Sequence, residues 1–167
     1  HYYMQEHLFS KVNVSSNSTH VPNGAASDVD GEAKNYEAAI AQAGGIDLQL
    51  LGLGQNGHIG FNEPLSSLNC RTRAITLAQT TLEQNAEMFG GDPDSVPSRA
   101  ITMGTATILE SHMALMVVTG PAKAQIAAQM IEGPVTAAVP GSALQYHPSC
   151  LVILDEDAAS ALVAREA

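Results

Sequence analysis

The sequence predicts an α/β protein in which a mostly parallel sheet carries helices on both faces. Three observations point there. Apolar runs of strand length recur at residues 48–53, Met113–Val118 and Cys150–Leu154. Segments of helical spacing alternate with them, as in sheets built from strand-helix-strand units. The first run opens into a glycine-rich loop, the place where parallel sheets hold their ligands.

Length and composition set the frame. A chain of 167 residues fits a single domain over residues 1–167, and a domain of about 150 residues removes roughly two-thirds of its unfolded surface from water. Hydrophobic residues make up 45% and charged residues 14%, with Pro and Gly punctuating apolar runs, which excludes disordered and collagen-like classes. The apolar runs fall far short of the ~20 residues of a membrane span and no signal segment opens the chain, so no membrane partner and a cytoplasmic location are expected. The net charge of -10, from 17 acidic against 7 basic residues, argues against nucleic acid, whose phosphates call for clustered Lys and Arg. Cys70 and Cys150 lack metal-ligand or CxxC spacing and are read as reduced core thiols.

Taken in order, residues 1–9 read as the tail of a helix and residues 13–24 as a polar surface loop. Asp28 or Asp30 caps a helix running to Ala43, where Gly44-Gly45 ends it. A buried strand is expected over 47–51. Beyond the loop, 71–77 reads as a strand, 81–89 as a helix, 100–103 as a short strand and 104–109 as a helical turn or two. The last third is plainer: strand Met113–Val118, a helix over 121–131 opened by Pro121, strand Cys150–Leu154 and a helix over 158–164.

The loop over residues 52–64, GLGQNGHIGFNEP, holds the candidate chemistry. Its glycines Gly52, Gly54, Gly57 and Gly60 let the backbone turn sharply and approach a ligand. His58 moves protons near neutral pH, Glu63 orients or charge-balances an imidazole, and Asn56 adds an uncharged hydrogen-bonding group. By itself, such a turn is more often only a turn and such a His a surface residue. The spacing also fails the GxGxxG dinucleotide pattern at its third glycine.

As a whole string, however, GHIGFNEP resembles the signature of the glucosamine-6-phosphate deaminase family. The likeness extends along the chain: HYYM at residues 1–4, SSLNCRTR at 66–73, GPAKA at 120–124 and EGPVTAAVPGSALQYHP at 132–148. The resemblance implies a Rossmann-like fold, here lacking the family's first strands, and an amino-sugar phosphate as the small-molecule partner. It implies hydrolytic removal of the C2 amine of glucosamine 6-phosphate, giving fructose 6-phosphate and ammonia, with no metal or organic cofactor. His58 would move the proton that opens the sugar ring, with Glu63 and Asn56 tuning it. Some members carry Asp where Asn56 stands, so His58 is expected to be less basic here. Gly52, Gly60 and Lys123 match substrate-binding positions, Lys123 the one that meets the phosphate, where a helix start adds backbone donors. Ser66, Ser67 and Arg73 match an allosteric subsite of regulated members, but a Lys of that subsite is Ile75 here, which speaks against allostery.

Two departures bear on this reading. Where the family places an Arg against the substrate phosphate, the chain has Glu87. Repulsion at about 4 Å and an effective dielectric near 20 is of order 4 kcal/mol per unit charge, so either Glu87 turns away or the substrate differs. The family's Asp-Glu-Tyr segment, whose Asp relays a proton between C2 and C1, is not among these residues. Little ammonia release is therefore expected from the 167-residue polypeptide alone, and the lost strands would leave apolar surface exposed, favouring association between copies. Two other readings are a 6-phosphogluconolactonase, disfavoured by residues 59–64, and a non-catalytic sugar-phosphate sensor, disfavoured by the His58/Glu63 pair.

Overall fold

The computed structural model describes residues 2–163. The first helix, α1 (Tyr2–His7), buries no side chain and passes into a 3-10 turn at Phe9–Lys11; His1 lies outside the described residues. Helix α2 (Val29–Gln42) begins where Asp28 accepts a hydrogen bond from the Gly31 N–H at 2.8 Å. Asp30 and Glu32 in its first turn favour the positive end of the helix dipole.

Strand β1 (Leu48–Gly52) leads into the glycine-rich loop. There follow β2 (Arg73–Thr76), α3 (Gln79–Asn85), β3 (Arg99–Thr102), α4 (Thr105–Leu109), β4 (Met113–Val118), α5 (Ala124–Glu132), β5 (Cys150–Leu154) and α6 (Glu156–Ala159). The expected helix over 81–89 is α3 followed by a 3-10 turn, Ala86–Phe89, and the one over 121–131 is a 3-10 turn, Pro121–Lys123, before α5. The last helix starts two residues earlier than expected, because Asp155 caps it by accepting from the Ala158 N–H at 2.8 Å. It ends at Ala159, and the far end of the expected span, Ala164, lies outside the described residues.

Strands β1, β4 and β5 form a parallel sheet in that spatial order, with Leu51 opposite Met116 and Met116 opposite Val152. Strands β2 and β3 pair antiparallel as a separate ribbon, Arg73 opposite Thr102. Because side chains alternate along a strand, Leu51, Ala114, Met116 and Val118 share one face of the sheet. They are buried there with Ile108 of α4, Ile126, Ala127 and Met130 of α5, Leu144 and Ala158. Full burial of the Leu, Ile, Met and Val side chains among them stabilises by roughly 1.5–3 kcal/mol each, so this face is the core.

The α/β class with a parallel sheet holds, but coverage of both faces and a buried first strand do not. On the opposite face Leu48, Leu50, Val117, Leu151 and Ile153 are 53%, 64%, 39%, 47% and 48% exposed. Strand β1 is an edge strand bare on one side. This is the apolar surface anticipated from the sequence. No helix among the described residues is long and apolar enough to cross a membrane.

Candidate active site

Strand β1 delivers residues 52–64 at the carboxyl end of the sheet, and the loop is pinned from three directions. It closes on itself where the Gly54 N–H donates to the His58 carbonyl at 2.9 Å. The imidazole lies against Gly54 so closely that a Cβ there would stand 2.3 Å from Nε2, so only glycine fits without moving His58. From the ribbon, the Thr102 hydroxyl accepts from the Phe61 N–H at 2.9 Å. It leaves no room for a Cβ on Gly60, whose φ of 57° is left-handed. From behind, the Gly141 N–H donates to the Gly57 carbonyl at 2.8 Å and the Leu65 N–H to the Ala137 carbonyl at 2.7 Å.

Asn62 is the internal fastener. Fully buried, it donates through Nδ2 to the carbonyls of Ile59 and Met103, each at 2.8 Å, and accepts at Oδ1 from Arg73 Nη1 at 2.8 Å. An unsatisfied buried amide costs about 1–3 kcal/mol, so these partners fix the loop and not merely decorate it.

Within that frame the predicted acid–base residues meet. Asn56 donates through Nδ2 to Glu63 Oε2 at 2.6 Å, and its Oδ1 accepts from the His58 backbone N–H at 3.2 Å. His58 Nδ1 lies 3.4 Å from the same Oε2, an ion-pair distance, without a well-formed hydrogen bond. Both side chains are mostly buried, 12% and 14% exposed. The Thr81 hydroxyl of α3 donates to the other carboxylate oxygen, Oε1.

The electrostatics follow from these contacts. Burial pushes the His58 imidazole below its ordinary value; the Glu63 carboxylate partly offsets this, and the Lys123 ammonium adds to the lowering. Burial alone would raise Glu63, but the hydrogen bonds from Thr81 and Asn56, helped by His58, hold it below the usual carboxylate range. At neutral pH the pair is a neutral imidazole beside a carboxylate, the state in which His58 accepts a proton.

Lys123 stands in the turn before α5, half-buried, its Nζ donating to the Leu53 carbonyl at 2.7 Å. Burial lowers its pKa. One of the backbone donors expected beside it is engaged: the Gly120 N–H donates to both oxygens of Asp155, at 3.0 and 2.9 Å. Gly52 and Gly60 are exposed on the loop. Beside Asn56, a groove of about 420 Å³ is lined by Gln55, Asn56, Thr80, Glu83 and Gln84.

The other expected residues are placed differently. Ser67 is exposed and Ser66 half-buried, whereas Arg73 turns inward to Asn62 Oδ1 and, at 2.9 Å, Cys70 Sγ. Glu87 is exposed on the 3-10 turn after α3. Sequence reasoning missed Thr81, Thr102 and Asn62, because each is a single polar residue whose partner is visible only in the fold. Among the described residues no group of three or more His, Cys, Asp and Glu side chains is placed to hold a metal ion.

A buried histidine–carboxylate pair with a lysine nearby, at the carboxyl end of parallel strands, is a candidate acid–base site of the kind that takes a small polar molecule. The chain belongs to the glucosamine-6-phosphate isomerase/6-phosphogluconolactonase family, whose model matches residues 1–153. It is 52% identical over 160 residues to a glucosamine-6-phosphate deaminase of Hahella chejuensis, covering 96% of this chain and 60% of that protein. To the glucosamine-6-phosphate deaminase of a Geobacillus species it is 50% identical over 159 residues, covering 95% and 63%. Among solved structures it is similar to a monomeric glucosamine-6-phosphate deaminase, with a TM-score of 0.93 and 40% identity, covering 96% of this chain and 66% of that one. The chain thus spans about three-fifths of the length of the curated relatives it matches.

Proposed function

We propose that the protein carrying this chain is a glucosamine-6-phosphate deaminase. The observation that carries the reading is the packing of neutral His58 against Gly54 with Glu63 Oε2 3.4 Å from Nδ1, in a family whose similar relatives bear that name. A neutral imidazole held this way takes a proton from the anomeric hydroxyl through Nε2 and returns one to the ring oxygen, which opens the sugar. Proton transfer by a positioned side chain such as His58 typically contributes about 10²–10⁴-fold, and Glu63 stabilises the imidazolium that forms in between. Asn56 orients Glu63 without adding charge.

In this reading Lys123 receives the substrate phosphate, and Gly52 and Gly60 admit the sugar to the loop. The transfer of a proton from C2 to C1 calls for a further carboxylate besides Glu63. Ser66, Ser67 and Arg73 match an effector subsite of regulated members, but Ile75 and the inward turn of Arg73 to Asn62 Oδ1 speak against effector binding here. The exposure of Glu87 supports a side chain turned away from the phosphate. A cytoplasmic place of work is part of this proposal. The bare sheet face supports self-association of the isolated polypeptide.

The test is to incubate the protein carrying this chain with glucosamine 6-phosphate and measure ammonia and fructose 6-phosphate in equal amounts, with the His58→Gln variant as control. Saturable binding by calorimetry without either product would replace the enzyme by a sensor. Hydrolysis of 6-phosphogluconolactone in place of deamination would move it to the lactonase branch of the family.

A further inference from the structure

We propose that Thr81 is the positioning residue of the site: from α3 its hydroxyl fixes the Glu63 carboxylate beside His58, a role no motif of the loop supplies. The inference rests on the reading of His58 and Glu63 as the acid–base pair. Thr81 is fully buried, and its hydroxyl donates to Glu63 Oε1. The opposite oxygen, Oε2, receives Asn56 Nδ2 at 2.6 Å and faces His58 Nδ1 at 3.4 Å. A carboxylate gripped at one oxygen can still turn about its last torsion, which is a soft one. Gripped at both, by groups from two different elements, it cannot. Asn56 belongs to the same loop as Glu63 and moves with it, so Thr81 is the anchor that ties the carboxylate to the rest of the fold.

The anchor is itself held. The Thr81 backbone N–H donates to the Ala78 carbonyl at 2.9 Å, and Asn85 Nδ2 donates to the Thr81 carbonyl at 2.8 Å. Helix α3 brings the neutral Thr81 hydroxyl to the carboxylate. The titratable group facing Glu63 is His58 from the loop, and Lys123, from the turn before α5, acts on His58. A motion of α3 is therefore transmitted to Glu63 through a single hydroxyl.

The test compares Thr81→Val, which keeps the shape and removes the donor, with Thr81→Ser, which keeps the donor. The Glu63 side-chain carboxyl carbon is followed by NMR through a pH titration of the full protein. Hydrogen bonding to the ionised form favours it, so in Thr81→Val Glu63 is expected to hold its proton more tightly: its acid dissociation constant falls about tenfold, while Thr81→Ser stays within about twofold of wild type. An unmoved Glu63 titration in Thr81→Val, or an equal movement in Thr81→Ser, overturns the inference. Turnover separates this from the parent reading. If the titration moves in Thr81→Val and kcat/KM falls with it while Thr81→Ser keeps both, both stand. If the titration moves and kcat/KM does not, the Thr81 role stands and the catalytic reading of Glu63 falls.

Discussion

Two carboxylates in this molecule, Glu63 and Glu37, are each surrounded by hydrogen-bond donors, yet they are built for different ends. Glu37 of α2 accepts from Arg71 Nε and Nη2 at 3.1 and 2.6 Å, from the Thr72 N–H at 2.9 Å and hydroxyl, and from the Thr107 hydroxyl at 2.6 Å. It ties α2, the 66–73 segment and α4 together. Burial works against its charge, but the bonds from Thr107, Thr72 and Arg71 overcome it and hold the pKa at about 2. Every partner of Glu37 is a group that does not titrate near neutrality. Glu63 has the same kind of clasp on both oxygens, but one neighbour is an imidazole at 3.4 Å. A carboxylate surrounded by fixed donors is a rivet; the same carboxylate with a proton-accepting neighbour is a candidate site.

That contrast can be broken, beginning with the largest effect. His58→Gln is expected to lower turnover by about 10²–10⁴-fold with an unchanged unfolding midpoint, because it removes the mobile proton and leaves the clasp. Next, Gly54→Ala places a methyl where the imidazole lies. A misplacement near 1 Å can cost about 10²-fold, so a loss of that order in kcat is expected, with His58 NMR signals shifted. Glu37→Gln should do the opposite: lose about 1.5–3 kcal/mol in denaturant unfolding while the His58 titration stays put.

The same residue sharpens the comparison through pH. A folded-state value of about 2 lies below the ordinary value of 4.5. The stability Glu37 contributes is thus fully present above about pH 4.5 and drains away as pH falls toward 2. Unfolding free energies measured across that window should fall less steeply in Glu37→Gln than in wild type. The smallest effect concerns neither carboxylate: Leu50→Lys on the bare sheet face is expected to reduce self-association of the isolated polypeptide in sedimentation, with stability changed by less than about 0.5 kcal/mol.

Much of this was legible in the chain. Strands β4 and β5 fall where the apolar runs lie, because a continuous run admits few other placements. The start of α2 follows from Asp28, and the 52–64 loop declares its histidine and carboxylate in one string. Apolar exposure was expected, but which face of β1 would be bare was not legible, since Leu50 and Leu51 look alike in sequence and differ only in what lies on each face. Nor was the 3-10 segment Pro140–Tyr146, whose buried residues support the loop through Gly141. Glu37 and Thr81 escaped for a common reason: each meets its partners across many residues of chain, and a lone polar residue carries no periodic signal. Lys123 was marked by resemblance alone.

The 3.4 Å between His58 Nδ1 and Glu63 Oε2 has one more implication. Oε2 is already taken by Asn56, so the neutral imidazole leaves that oxygen one partner short of what a cation would draw in. When His58 gains a proton, attraction grows at the moment the charge appears and shortening the gap becomes favourable. An attraction largely held in reserve until the charged state lowers a barrier, whereas one made equally beforehand only deepens the starting well. Under the proposed mechanism, the spacing that looks like a bond left unfinished would be the part of the site that acts on rate and not on affinity.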